Sequence, residues 1–189
     1  MRKFARYYRI DLDRNRRARA KKAGEGCAVL LTWESSPGVL AWFLLVSPGD
    51  HPAHQLERLR DALDPQSRIT LTGYELIRAT RPGAAAPSWT WRMTASTYTD
   101  WRRRIIDMVR RGDGLTLRQA IVSLHRVPGF AGSRSQVKKC LTLLKAEWKR
   151  SRGSEALPAL PKLLPYVRRV GSASVGLSAW LGCRQRAAP

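Results

Sequence analysis

The chain has 189 residues, enough for one compact domain with short appendages, and its 43% hydrophobic content with seven tryptophans excludes an intrinsically disordered chain. Its 35 basic residues outnumber its 14 acidic residues, so the formal net charge is +21. A positive field of that size attracts polyanions, and we therefore expect a nucleic-acid partner, either DNA or RNA.

Cysteine spacing and apolar runs exclude several protein classes. Cys27, Cys140 and Cys183 lie far apart without a C-x-x-C pair, so we expect neither a disulfide framework nor a zinc site. Residues 1–22 are charged throughout and do not resemble a signal peptide. The longest apolar run, 39–46, is far shorter than a membrane-spanning helix requires. We expect a cytoplasmic bacterial protein without a cofactor and without membrane contact.

The first 24 residues predict a strand followed by a mobile arm. Residues 4–12 alternate loosely, with Phe4, Tyr8 and Ile10 on one side, which favours an edge strand. Residues 13–24 are polar and basic without periodicity and end in glycines. We therefore predict a basic arm over 13–24.

The next 70 residues predict mainly antiparallel strands. Apolar runs 27–33 and 39–46 flank a Glu-Ser-Ser-Pro-Gly turn, which predicts a β-hairpin. Helical spacing of apolar residues predicts a short helix over 53–63. Strand patterns return at 68–80 and 88–94, and the short connections favour antiparallel pairing.

Helical periodicity begins at Thr97. Residues 97–100 have the spacing of a capping box, and Gly112 is expected to end this first helix. The second helix must stop before Val127-Pro128-Gly129, and a third should begin at Ser133 or Ser135 and reach about Arg150. The residues predicted to face the core are Tyr98, Trp101, Ile105, Met108, Val109, Leu117, Ala120, Ile121, Leu124, Val137, Cys140, Leu141, Leu144 and Trp148.

These patterns together predict an α+β fold. We expect an antiparallel sheet of about five strands with one packed helix, followed by a three-helix unit and an irregular C-terminal tail. The predicted boundaries are 1–96 for the sheet domain, 97–152 for the basic three-helix region and 153–189 for the Pro/Gly/Ser-rich tail.

Basic residues gather in the arm and in the helical region. Residues 100–152 contain fourteen basic and four acidic residues. On a helical wheel, Lys138, Lys145 and Lys149 fall on one face of the third helix, and Arg103 and Arg110 point away from the apolar face of the first. The candidate phosphate-binding residues are Arg14, Arg16, Arg17, Arg19, Lys21, Lys22, Arg103, Arg110, Arg134, Lys138, Lys145 and Lys149. The competing interpretation is an ordinary solvated charged surface.

Sequence-specific reading of DNA is not predicted. The connection Arg-Val-Pro-Gly-Phe-Ala-Gly between the second and third helices is longer than the turn of a helix-turn-helix motif. Contacts to phosphates provide affinity without sequence information. The expected function is therefore that of an accessory factor or ribonucleoprotein subunit in nucleic-acid handling, for instance in a bacterial mobile element, with protein partners in a nucleoprotein complex.

Two alternatives remain open. His51, His54 and Glu57 lie within seven residues, and as metal ligands or a general base they would suit a metal-assisted nuclease, whereas a helix start with Asp50 as its cap explains the same residues. The second alternative is an interaction or inhibitor subunit whose charge steers it to an acidic protein. Phosphate-binding glycine loops are absent from the sequence, so we expect no nucleotide hydrolysis and assign no catalytic residue and no metal ligand.

Overall fold

The computed structural model describes residues 2–153, 155–162 and 164–166, and the chain divides into two compact units, Met1–Ser67 and Arg68–Pro189. The six helices and five strands of the described residues confirm a mixed helix and strand fold, and all strands pair antiparallel. The strands form one sheet of two strands and one of three. The predicted sheet of about five strands is matched only roughly, because one predicted strand is a helix, another is divided into two strands, and the strands form two sheets.

Unit 1 contains three helices and a hairpin. They are α1 (Arg2–Tyr8), α2 (Arg14–Lys22), β1 (Ala28–Ser36), β2 (Val39–Val46) and α3 (Ala53–Leu56). Its small core is formed by Tyr8, Ala28 and Ala53, all at most 2% exposed.

The predicted edge strand over residues 4–12 is wrong, because this segment forms helix α1. Phe4 and Tyr8 are four residues apart, so they share a side in a strand and also in a helix, and their spacing does not distinguish the two. Packing decides the outcome. Tyr8 is fully buried, and the Phe4 ring lies 5.5 Å from both the Tyr8 and Trp42 rings.

The predicted mobile arm is also wrong, because its residues form helix α2. Asp13 caps the helix by accepting a hydrogen bond from the Arg16 backbone N–H at 2.8 Å. Arginine, lysine and alanine are strong helix formers, and helix propensity needs no apolar periodicity. Only Ala20 is buried, so α2 has basic side chains around most of its circumference.

The predicted hairpin is confirmed, with Ala28 opposite Val46 and Ser36 opposite Val39. One face includes Leu44 and Val46, which pack on the unit 1 core. The opposite face carries the side chains of Val29, Leu31, Trp33, Ala41, Phe43 and Leu45. Both faces are therefore apolar, which explains the uninterrupted apolar run of β2.

Helix α3 is shorter than predicted and ends at Leu56. Two aspartates downstream favour turns, because Asp61 accepts from the Leu63 N–H at 2.8 Å and Asp64 from the Gln66 N–H at 3.0 Å. Such side-chain bonds to the backbone compete with helix formation. Leu63 consequently remains 53% exposed.

Unit 2 begins with the three-stranded sheet of β3 (Thr70–Leu71), β4 (Tyr74–Ala79) and β5 (Ser88–Met93). The strand predicted over 68–80 is interrupted by Thr72 and Gly73, which both have positive φ angles. Two such residues between antiparallel strands are typical of a type I′ hairpin turn. The prediction thus missed one tight turn.

Three helices follow the sheet: α4 (Ala95–Arg111), α5 (Gly114–His125) and α6 (Ala131–Arg152). The residues buried in their common core are Met93, Ile105, Met108, Val109, Leu117, Ala120, Ile121, Leu124, Val137, Cys140, Leu144 and Leu164. Tyr98, Trp101, Leu141 and Trp148 pack against it, so the apolar faces predicted for all three helices are confirmed. Gly112 ends α4, as predicted, and it adopts the left-handed conformation.

Two helix starts differ from their predictions. Helix α4 begins before the expected capping box, because the Thr94 hydroxyl accepts from the Thr97 N–H at 3.3 Å. Helix α6 begins at Ala131 after Phe130, which makes no side-chain cap. Ser133, a predicted cap, is instead fully buried and donates its hydroxyl to backbone carbonyls of the preceding turn.

Sheet β3–β5 and the three helices belong to one compact unit, whereas the sequence places a boundary after residue 96. The physical reason is direct packing of β5 on α6. Residues 155–162 and 164–166 of the predicted tail form no helix or strand, and residues 167–189 lie outside the described residues. Within the described part of the chain, no helix has the length and apolar character needed to cross a membrane.

Candidate nucleic-acid interface

Positive charge is concentrated in unit 2. Unit 1 has twelve basic and eight acidic residues, a net charge of +4, whereas unit 2 has 23 basic and six acidic residues, a net charge of +17. Most of the electrostatic attraction for a polyanion therefore originates from residues 68–189.

Helix α6 carries a row of three lysines that we call the lysine stripe: Lys138, Lys145 and Lys149. They lie within about 40° of each other around the helix and well away from the buried Val137 and Leu144. All three are exposed, and none has a hydrogen-bond or ion-pair partner among the described residues. With a rise of about 1.5 Å per residue, the stripe extends about 16 Å along the helix.

The start of α6 is fixed against strand β5. The Gln136 side chain accepts from the Met93 N–H at 2.7 Å and donates to the Met93 carbonyl at 3.1 Å. The Gly132 N–H donates to the Thr90 hydroxyl at 3.1 Å. A Cβ at Gly132 would lie 2.6 Å from the Trp91 carbonyl oxygen, so only glycine permits this close approach. The lysine stripe is thus held on a supported helix.

The C-terminal ends of α4 and α6 lie together. Arg152 of α6 donates from Nε to the Val109 carbonyl of α4 at 3.2 Å. The guanidinium lies over Gly112, where a Cβ would be 1.9 Å from its Nη2 atom. Cations at a helix C-terminus interact favourably with the helix dipole, so this contact stabilises the end of α4.

One carboxylate at this end holds two arginines, a group that we call the Glu147 cluster: Glu147, Arg110 and Arg150. Arg110 donates from Nε to Oε1 at 2.8 Å, and Arg150 donates from Nε to Oε2 at 3.1 Å and from Nη2 to Oε1. These hydrogen bonds, those from Arg150 first, lower the pKa of Glu147 to about 2. Arg110 was predicted to be a free phosphate ligand, but part of its guanidinium is already paired.

Two other predicted residues of unit 2 also have partners. Arg103 pairs with Asp100 at 3.4 Å, and both side chains are largely exposed. The guanidinium carbon of Arg134 lies 3.4 Å from the centre of the Tyr166 ring, so the C-terminal segment covers it. An exposed ion pair contributes little free energy, so Arg103 can exchange Asp100 for a phosphate at small cost.

The predicted residues of α2 do not form a single face. Arg14, Arg19, Lys21 and Lys22 are exposed and span about 160° around the helix, compared with about 40° for the lysine stripe. Arg16 pairs with Asp13 at 3.6 Å, and the Nε of Arg17 is buried without a hydrogen-bond partner in the described structure. This segment belongs to unit 1, whereas the lysine stripe belongs to unit 2.

Sequence reasoning missed two basic residues on the side of α6 next to the lysine stripe. Lys139 and Arg150 are exposed and lie about 100° and 120° around the helix from Lys138. Lys139 lines a groove of about 490 Å³ that also includes Arg81 and Ser135. Their angular distance from the three lysines places both residues outside a single narrow row of the helical wheel, although their sequence spacing gives the same angles.

Structural contacts account for the His51, His54 and Glu57 cluster. His51 is 5% exposed, and its Nδ1 accepts from the Ala53 N–H at 3.2 Å while its Nε2 lies 3.2 Å from the Tyr8 carbonyl. Glu57 accepts the Tyr8 hydroxyl, and His54 Nε2 lies 3.2 Å from the Ser47 carbonyl. No group of three or more potential ligands in the described residues could hold a metal ion.

The expected Asp50 cap is not formed. Pro52 occupies the cap position of α3 without a side-chain hydrogen bond. Asp50 instead makes a short parallel bridge with Glu25, in which its carbonyl accepts from the Gly26 N–H at 2.9 Å.

Comparison with known proteins returns no match to a family model, a curated protein or a solved structure.

Proposed function

We propose that unit 2 binds the phosphate backbone of nucleic acid through the lysine stripe of α6, as a non-enzymatic accessory subunit of a nucleoprotein complex. The observation that carries this proposal is the presence of three exposed lysines, without acidic partners among the described residues, on one face of an anchored helix. Lysine ammonium groups bind phosphates as point charges and require no bidentate geometry.

Charge density favours nucleic acid over an acidic protein as the partner. Duplex DNA carries one negative charge per about 1.7 Å of its axis, so a stripe about 16 Å long meets several phosphates at once. An acidic protein surface mixes charges of both signs and does not match a row of cations without acidic partners as closely.

Binding independent of base sequence is part of the proposal. The α5–α6 connection covers residues 126–130 and is one residue longer than the longest usual turn of a helix-turn-helix motif. Phosphate contacts fix position and supply affinity but do not distinguish bases.

Fluorescence anisotropy with labelled duplex DNA, single-stranded DNA and RNA of mixed sequence tests the proposal. We expect the affinity to fall linearly with salt on logarithmic axes, because each neutralised phosphate releases counterions. Replacing Lys138, Lys145 and Lys149 with glutamine should reduce the slope on duplex DNA by about 2.7, since each phosphate contact contributes about 0.9.

A matched control is the replacement of three exposed arginines outside the stripe, Arg58, Arg60 and Arg118, with glutamine. The two triple variants have the same net charge, so a larger loss in the stripe variant reports position rather than total charge. Wild-type protein that binds none of the probes at low salt, or equal losses in both variants, would overturn the proposal.

A further inference from the structure

We propose that the Glu147 cluster is a receptor for a single phosphate group, in which Glu147 is a positioning residue that presents Arg110 and Arg150 to the nucleic-acid backbone. This inference rests on the proposed function and adds a defined contact to it. Its structural basis is the arrangement of one nearly buried carboxylate behind two exposed guanidinium groups.

Burial separates the two kinds of charge in the cluster. The Glu147 side chain is 9% exposed, whereas the side chains of Arg110 and Arg150 are 57% and 60% exposed. An anion arriving from solvent therefore meets the guanidinium groups and is kept apart from the carboxylate.

Donor groups remain available on both arginines. A guanidinium has five N–H donors in a rigid fork. Arg110 uses only Nε towards Glu147, and Arg150 uses Nε and Nη2, so both Nη atoms of Arg110 and the Nη1 of Arg150 make no hydrogen bond to the described residues. Planar donors of this kind match the oxygens of a phosphate in bidentate geometry.

Satisfying the carboxylate does not require both arginines. Arg150 alone reaches both oxygens of Glu147, and Arg110 adds a further bond to Oε1. The result of the third bond is that a guanidinium from α4 is brought beside one from α6. A preorganised pair loses less side-chain entropy on binding than two free arginines.

Local charge also favours an anion. The Glu147 cluster has a net charge of +1, and its neighbours in sequence, Arg111 and Lys149, are exposed without partners among the described residues. Arg150 lies about 100° around α6 from Lys149, the last residue of the lysine stripe, so the Glu147 cluster offers a phosphate contact on a different side of the helix from the stripe.

The decisive experiment is the substitution Glu147→Gln, measured by the same anisotropy assay with duplex DNA. Removing a negative charge raises the net charge by one, so a surface that acts by charge alone should bind more tightly. A positioning role predicts the opposite sign, with binding weaker by about tenfold because the charge-assisted hydrogen bonds orienting both arginines are lost.

Glu155→Gln is the matched control. Glu155 pairs with Arg152 at 3.5 Å, its side chain is 58% exposed, and its removal changes the net charge equally. We expect this variant to bind as tightly as wild type or slightly more tightly. Glu147→Gln that behaves like Glu155→Gln in protein with wild-type circular dichroism would overturn the inference.

A second variant keeps both the charge and the carboxylate. Arg110→Lys together with Arg150→Lys preserves net charge but removes the planar forks, and we expect about tenfold weaker binding. Unchanged affinity of this double variant would overturn the inference, even if Glu147→Gln does not fold.

The inference and the proposed function can fail separately. If the stripe variant loses binding while the Glu147 and double-arginine variants bind as wild type does, only the inference is wrong. If the wild-type protein itself binds no nucleic acid, the proposed function is wrong as well.

Discussion

Glu147 is a nearly buried carboxylate that stays ionised because two arginines donate hydrogen bonds to it. It is only 8% exposed, yet it remains ionised because Arg150 and Arg110 donate hydrogen bonds to it, and these bonds lower its pKa to about 2. Nearly buried carboxylates are destabilising unless they are paired in this way. Its two partners are separated by 40 residues in the sequence, so the interaction depends on the packing of α4 on α6.

The lowered pKa predicts a pH-dependent contribution of Glu147 to stability. Because the folded pKa is below the unfolded value of about 4.5, the contribution is complete above that pH and is lost as the pH falls towards 2. The difference in unfolding free energy between wild type and Glu147→Gln, from urea titrations at several pH values, should therefore shrink over this interval. A difference that stays constant from neutral pH to pH 2 would contradict the assignment.

At the level of elements, the ends of helices are decided by single side chains. The cap of helix α4 is Thr94, three residues before the cap expected at Thr97, because Thr94 directly after β5 already offers a hydroxyl acceptor. Several serines and threonines near a helix start satisfy the same pattern, and the backbone conformation selects among them. Thr94 has the extended ψ angle of 161° that a cap requires.

Thr94→Ala should therefore lower the unfolding free energy by about 1 kcal/mol, which is typical for the loss of a threonine cap. Thr97→Ala leaves that acceptor in place and should cost clearly less. Urea unfolding of both variants provides the comparison. A larger loss for Thr97→Ala would favour the helix start read from the sequence.

For the whole molecule, the balance of charges is uneven. Unit 2 carries +17 of the total of +21, and most of its exposed lysines have no acidic partner in the described structure. Like charges at this density repel each other and destabilise the folded state in the absence of a polyanion. Bound phosphates would relieve this repulsion, which links stability to the proposed function.

Thermal stability should consequently increase with salt. We expect the Tm to rise between about 50 and about 200 mM sodium chloride, because the Debye length shortens over this interval and repulsion is screened. Replacing Lys138, Lys145 and Lys149 with glutamate lowers the net charge by six, so its Tm should depend less on salt. Differential scanning fluorimetry of both proteins makes the comparison, and equal salt dependence would count against repulsion within unit 2.

Periodicity and composition are local properties, so they were sufficient to predict the hairpin, the apolar faces of the three long helices and the surplus of positive charge. The other features depend on contacts between residues that are distant in the sequence. Burial of Tyr8 favours a helix over residues 2–8, and contact between β5 and α6 places the three-stranded sheet and the three helices in one unit. Pairing between distant residues also determines which of the predicted basic side chains have a partner and which do not. Lys138, Lys145 and Lys149 are exposed, whereas Arg110 donates a hydrogen bond to Glu147 and Arg134 lies against the Tyr166 ring. These pairs are distant in the sequence, so only the folded structure identifies them.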